Sequence, residues 1–319
     1  MRSKARVIAA LAVALMCAPG TWLRSEPPQA PAGDLAAVPV TAPSATGTRG
    51  WALGGLWHLT SSDPQFGGFS ALLDLGEGRF AAFSDRGWRL DFSPPGALPQ
   101  PPRLARVFPD EALHHRFFDI EAAVHDPATG MLWLASENDH AIHRFGSDGT
   151  PAGRRDLGDE VDWTSNSGIE AMVRLEDGRF VILPEGQREG LIFASDPVEG
   201  GKPDRFAIKV PEKGYEITDA ARLPDGRLLA VLRKLEWPSR RAWPPFASLL
   251  AIGAVPEAGG VFAPQITLRL EGVLPRENYE GLALRERSDG RVDVWIISDD
   301  NLSVFQRTLL ANLVFDSAA

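Results

Sequence analysis

Carboxylates recur in this chain at places that local structure does not demand. Glu121, Glu170 and Glu280 each open a short apolar run, and Ser70 and Thr218 hold the matching place in two further runs. A second set, Asp85, Glu137, Glu185, Arg233 and Asp299, closes the apolar run that follows each of these. Carboxylates gathered in such number must share protons with raised pKa values, share a cation, or pair with arginines. Clusters offering only oxygen select hard ions, so Ca²⁺ is the first candidate and Mg²⁺ the second. A carboxylate left outside the coordination would act as a general base on water.

The elements that carry these residues repeat. The copies read GGFSALLDLGEGRFAAFSDRG from Gly67, FDIEAAVHDPATGMLWLASEND from Phe118, SGIEAMVRLEDGRFVILPEG from Ser167, YEITDAARLPDGRLLAVLRK from Tyr215 and YEGLALRERSDGRVDVWIISDDN from Tyr279. Each is an apolar run, a tight turn and a second apolar run. Asp-Gly-Arg turns at Asp177, Asp225 and Asp289, with Glu77-Gly78-Arg79 as a variant, are strong hairpin signals because glycine takes the positive φ the turn needs. No stretch of helix length shows an amphipathic pattern. A hairpin repeating at about fifty residues is the signature of a β-propeller. Two further strands follow each hairpin, among them Ala141 to Phe145, Leu191 to Ser195 and Ser248 to Val255, which makes four per blade. Taking Ser70, Glu121, Glu170, Thr218 and Glu280 as equivalent, the intervals are 51, 49, 48 and 62 residues, none wide enough for two ordinary blades. Five blades are therefore favoured over six. The strand Leu53 to Thr60 is expected to complete the last blade and close the ring.

In a propeller blade the innermost strand crosses from one face to the other and the second returns. The start of the first and the end of the second thus meet at one mouth of the central channel. Asp85, Glu121, Glu170, Glu280 and Asp299 are the candidate metal ligands there, and Glu137 or Glu185 the candidate base. Arg86 and Arg233, with Lys234 and the amides of Asn138, Asn166, Asn278 and Asn301 nearby, would hold an anionic group. The insertion Leu235 to Phe246, LEWPSRRAWPPF, adds Trp237, Arg240, Arg241 and Trp243 on the same face. It reads either as a lid that stacks on and neutralises a bound anion or as a proline-stiffened surface loop. The acids have an alternative too, because one buried carboxylate per blade can hydrogen-bond the amides of the next blade. The fourth copy, with Thr218 and Arg233 in place of both acids, favours the ligand site, since a purely structural repeat has less reason to change sign.

Other chemistry is poorly supported. Gly68-Phe69-Ser70-Ala71-Leu72 lacks the final glycine of a nucleophile elbow, and no H-E-x-x-H zinc pattern occurs. His114 and His115 are expected in a loop, while His140 is placed to reach the mouth. Trp133 and Trp295 sit inside strands and are expected in the core.

These same runs, with NSGIEAMVRLEDGRF and NYEGLALRERSDGRVDVWIISDDN, resemble the phytase-like domain family, described as having the esterase-like activity of phytase. The resemblance covers nearly all of Trp51 to Phe315. It implies an exported bacterial propeller that hydrolyses phosphate or other esters.

The remainder of the chain sets the bounds. With 44% hydrophobic and 24% charged residues among 319, it can bury a full-sized core. Acids outnumber lysine and arginine 42 to 33, which argues against a nucleic-acid partner. The sole cysteine, Cys17, lies near the N-terminus, so the folded part has no disulfide and no thiolate metal site. Arg2, Lys4 and Arg6 ahead of the apolar Val7 to Met16 read as an export signal or uncleaved anchor over residues 1–23. Met16 before Cys17 argues against lipidation. Residues 24–50, rich in proline and alanine, read as a linker, and 51–319 as the propeller domain. The expectation is a monomeric, periplasmic or envelope-associated hydrolase, calcium-assisted, acting on a small anionic or ester substrate, with its N-terminus a tether to the membrane. The competing expectation is a non-catalytic propeller of the envelope whose mouth binds a ligand or a partner protein, the ion being structural; a third is a purely structural propeller held to the envelope by its leader, with no ligand and no cofactor.

Overall fold

The computed structural model describes residues 34–43, 50–108, 119–163, 167–237, 239 and 243–318. Residues 1–23 with Cys17, most of the 24–50 segment, His114, His115, Asn166, Arg240 and Arg241 lie outside the described residues. Strands β1 (Ala36–Pro39) and β2 (Trp51–Thr60) come first. Blade 1 follows with β3 (Phe69–Gly76), β4 (Arg79–Ser84), β5 (Trp88–Phe92) and β6 (Arg103–Arg106). Blade 2 holds β7 (Ile120–His125), β8 (Leu132–Ser136), β9 (Ala141–Phe145) and β10 (Pro151–Asp156). Blade 3 holds β11 (Ile169–Arg174), β12 (Phe180–Pro184), β13 (Glu189–Phe193) and β14 (Asp204–Ile208). Blade 4 is built from β15 (Glu216–Arg222), β16 (Leu228–Leu235) and β17 (Phe246–Gly253); β18 (Val261–Phe262) then pairs in parallel with β14, and β19 (Gln265–Arg269) completes blade 4. Blade 5 is β20 (Asn278–Glu286), β21 (Val292–Asp299) and β22 (Leu309–Phe315), completed by β2.

The five blades form a ring, their innermost strands β3, β7, β11, β15 and β20 each beside the next and β20 beside β3. This is the five-bladed propeller that the repeat predicts, closed as expected by pairing of the N-terminal strand β2 with the C-terminal β22. Every blade is sandwiched between two others, so both faces of its inner strands, such as β4, β8, β12 and β16, are buried, while the outer strands β6, β10 and β14 are largely exposed. That is why the inner strands read as continuous apolar runs rather than alternating ones. In β4, Phe80 and Ala82 face the core shared with blade 5, while Ala81 and Phe83 face the core shared with blade 2. Trp133 and Trp295 are buried as expected. Each fully buried Phe or Leu in these layers contributes about 1.5–3 kcal/mol.

One part of the segment read as a linker is structured. Ala36–Pro39 pairs antiparallel with β2, from Ala36 opposite Thr60 to Pro39 opposite Trp57. All four side chains are exposed, so the strand is held by its backbone and leaves no apolar pattern in the sequence.

The Asp-Gly-Arg turns brace themselves. In Asp225-Gly226-Arg227, the Asp225 carboxylate accepts from the Arg227 amide at 3.0 Å and from its guanidinium at 2.6 Å, while Gly226 sits at φ 91°. Asp177 and Asp289 act in the same way on Arg179 and Arg291.

Candidate functional site: an acidic channel mouth

The innermost strand of every blade is interrupted near its start. The pairing register slips between Phe69 and Ala71, Ile120 and Ala122, Ile169 and Ala171, Ile217 and Asp219, and Tyr279 and Gly281. The extra residue in these five bulges is Ser70, Glu121, Glu170, Thr218 and Glu280, the set aligned from the sequence. A bulge inserts one unpaired residue, re-aims its side chain and reverses the alternation beyond it. Ile169 therefore enters the core between blades 2 and 3, while Ala171 enters the core between blades 3 and 4. The bulged residues converge across blades: Ser70 donates a side-chain hydrogen bond to Glu280, and Thr218 Oγ1 donates to the Tyr279 carbonyl at 3.3 Å.

Two sectors of the mouth differ in how their charge is met. On blades 3 to 5, Arg233 at the end of β16 donates from Nη1 to Asn278 Oδ1 at 2.6 Å and to Glu280 Oε1 at 2.5 Å. Its Nη2 donates to Glu185 Oε1 at 3.1 Å. Asn278 Nδ2 also donates to Glu280 Oε1, at 2.8 Å. Asp299 accepts from the Asn301 amide at 2.7 Å. Arg86 is 4.0 Å from Asp85 and donates from Nη2 to the Gln65 carbonyl at 2.9 Å. Lys234 pairs with Glu236 at 3.1 Å.

On blades 2 and 3 the picture changes. Asp119, Glu121, Glu137 and Glu170 form no ion pair with lysine or arginine among the described residues. Carboxylate oxygens of Asp119, Glu121 and Glu137 lie within 4.8 Å of one another, as do those of Glu137, Glu170 and Glu185. Burial, reinforced by neighbouring carboxylates, holds the pKa values of Glu121 and Glu170 well above the ordinary range. Burial and Asp119, which shares a carboxyl–carboxyl hydrogen bond with it, bring Glu137 to about 7. Burial brings Asp85 to about 6 and also raises Glu185, Glu280 and Asp299. At neutral pH this sector must hold protons or a cation, and its all-oxygen donor set fits a hard divalent ion.

Of the residues singled out in the sequence, the structure brings Glu137 close enough to share an ion either with Glu121, in a group completed by Asp119, or with Glu170 and Glu185. Glu280 is engaged by Arg233, while Asp85 and Asp299 stand elsewhere on the ring. Asn138 follows Glu137 at the mouth. His140 meets Trp163 edge-on at 5.8 Å. Trp237 is 90% exposed, and Trp243 lies 6.4 Å from Phe305, on the loop of the next blade. Two acids escaped the sequence reading, Asp119 and Glu216, the latter hydrogen-bonded to Glu185. Both lie two residues before a bulge, where Gly68, Gly168 and Asn278 stand in the other blades, so the repeat alignment carries the signal that finds them. Asp119 reaches its place with an unusual φ of 29°.

Stitching between blades is done by another residue. Asp219, one place beyond the Thr218 bulge and buried, accepts from the Ala220 amide at 2.7 Å and from the Leu282 amide of blade 5 at 2.7 Å.

A family model described as phytase-like, with the esterase-like activity of phytase, matches residues 64–302, which span all five inner hairpins. The chain belongs to the phytase-like family. No curated protein matches it by sequence. Solved structures similar to it include a luciferin-regenerating enzyme, at 12% identity and a TM-score of 0.46 over 82% of this chain and 84% of that one. Another is the glutaminyl cyclase of Myxococcus xanthus, at 13% identity and a TM-score of 0.44 over 78% of this chain and 92% of that one.

Proposed function

We propose that the channel mouth is the active site of a phytase-like ester hydrolase working with a hard divalent cation, Ca²⁺ or Mg²⁺. The observation that carries this reading is the asymmetry of the mouth: a carboxylate sector that forms no ion pair among the described residues stands directly beside a fixed arginine. Asp119, Glu121 and Glu137 would hold the ion, with Glu170 beside Glu137. When bound, the ion supplies Lewis acidity toward the ester oxygen and a water of lowered pKa. Arg233 is held in place by Glu280 and Asn278 and keeps N–H groups free of these partners to orient an anionic oxygen of a phosphate or carboxylic ester. Glu185 lies between the two sectors. Its carboxylate accepts the proton of the attacking water, with burial raising its basicity and Arg233 restraining that rise. The basic segment and apolar run at the N-terminus add export to the envelope to this proposal.

Thermal unfolding with calcium, magnesium or chelator, run beside hydrolysis of p-nitrophenyl phosphate and p-nitrophenyl acetate, tests the reading. A saturable cation-dependent rise in Tm is expected. Turnover should fall about 100-fold or more in Glu185→Gln with the fold intact. No cation shift and no turnover on either ester would leave a non-catalytic binding propeller in its place.

A further inference from the structure

Six large apolar side chains are exposed on two segments of the mouth face: Leu235, Trp237 and Trp243 at and beyond the end of β16, and Leu302, Val304 and Phe305 after β21. Trp237, Val304 and Phe305 are 90%, 93% and 70% exposed, values that belong to side chains projecting from a surface rather than lining a groove. Trp243 and Phe305, in contact at 6.4 Å, join the two segments into one apolar ridge. On the same face, between blades 3 and 4, lies a groove of about 380 Å³ whose charged lining is Arg188, Lys209 and Lys213 with a single carboxylate, Glu216. None of these three cations forms an ion pair among the described residues, although the chain carries a net charge of −9.

We propose that this face docks on the surface of an anionic phospholipid bilayer. The ridge of blades 4 and 5 enters the headgroup region, and Arg188, Lys209 and Lys213 meet lipid phosphates. Protruding aromatic and aliphatic tips suit the interface, where apolar area is buried without a shaped partner. The unpaired cations supply the second, electrostatic signal that stable peripheral binding needs. Among the described residues no helix is long and apolar enough to cross a membrane, and a surface contact of this kind requires none. Docking would aim the channel mouth at the lipid. It stands independently of the hydrolase reading, since it rests on other residues.

The test is co-sedimentation of the full chain with large unilamellar vesicles of phosphatidylcholine alone or with about 30% phosphatidylglycerol. Trp237→Ser/Val304→Ser/Phe305→Ser should weaken partitioning about ten-fold or more on both vesicles. Lys209→Glu/Lys213→Glu should weaken it about ten-fold on anionic vesicles alone, in a salt-dependent way. The apolar leader is common to all three proteins, so a triple variant that binds like the parent overturns the proposal. So does a parent that does not partition, or light scattering showing that the ridge joins two copies of the chain instead. Should the triple variant fail to fold, unchanged anionic-vesicle binding by the lysine pair variant overturns the proposal.

Discussion

Arg233 balances charge on one side of the mouth, and the cost of losing it follows from what it touches. Replacing it leaves Glu185 and Glu280 buried without their counter-charge, which costs about 3 kcal/mol when one partner of a buried pair is removed. Arg233→Met is therefore expected to lower Tm markedly, and Arg233→Met/Glu280→Gln to recover much of the loss; a double variant no better than the single would show that the pair is not coupled. The opposite sector gives a pH dependence of defined sign. Burial and Asp119 hold Glu137 at about 7 against an ordinary 4.5, so the folded chain binds that proton more tightly than the unfolded one. Stability from such a group is present at low pH and is lost as pH rises through the folded value. His143 acts in the opposite direction, because burial lowers it to about 4 and its contribution grows as pH rises toward 6.5. Above pH 6.5 only the carboxylate effect remains, so Tm in chelator should fall between pH 6.5 and 8 and a saturating cation should flatten the fall. Glu137 is partly solvated, which reduces the effect to about 1 kcal/mol. In chelator at pH 8, Glu137→Gln should then raise Tm by about 2 °C. A scanning calorimetry series in pH reads both effects.

At the scale of single elements, the bulge is the device on which the site depends. Without the extra residue, Glu170 would follow the strict alternation of β11 and its neighbours would compete for one core. With it, Ile169 and Ala171 serve different cores and Glu170 is freed for the channel. Beyond the bulge of β15, Asp219 joins blade 4 to blade 5 through two amides. Asp219→Ala would leave both N–H groups buried and unpaired, at about 2–4 kcal/mol by the cost of unsatisfied donors. Chemical denaturation should show that loss in the midpoint. A midpoint within experimental error of the parent would mean that water replaces the carboxylate at no cost.

The whole molecule is held closed by two ends that are distant in sequence. Trp51 lies opposite Phe315 and Leu56 opposite Ala311, and the Trp51 and Phe315 rings are 4.6 Å apart. A chain beginning at Ser61 would lack β2 and expose the edge of β22 together with the apolar faces behind it. Such a chain should aggregate on size-exclusion chromatography, whereas one beginning at Gly50 loses, among the described strands, only β1 and should elute as the parent does. Equal behaviour of the two would show that ring closure does not depend on the N-terminal strand.

Local pattern accounts for the ring. The interval near fifty, the Asp-Gly turns and the runs apolar on both faces specify five blades, because each is a short-range feature that recurs along the chain. The equivalence of Ser70, Glu121, Glu170, Thr218 and Glu280 comes from the same repeat, and so does the face that carries charge. Which acids meet is not a local property. Asp119 joins Glu121 and Glu137, Arg233 takes Glu280 and Glu185, and the apolar ridge forms between loops of neighbouring blades. These meetings depend on bulge parity and on the closure of the ring, which set distances between strands that no stretch of sequence specifies. Only the assembled ring therefore separates the carboxylates that pair with an arginine from those that form no ion pair among the described residues.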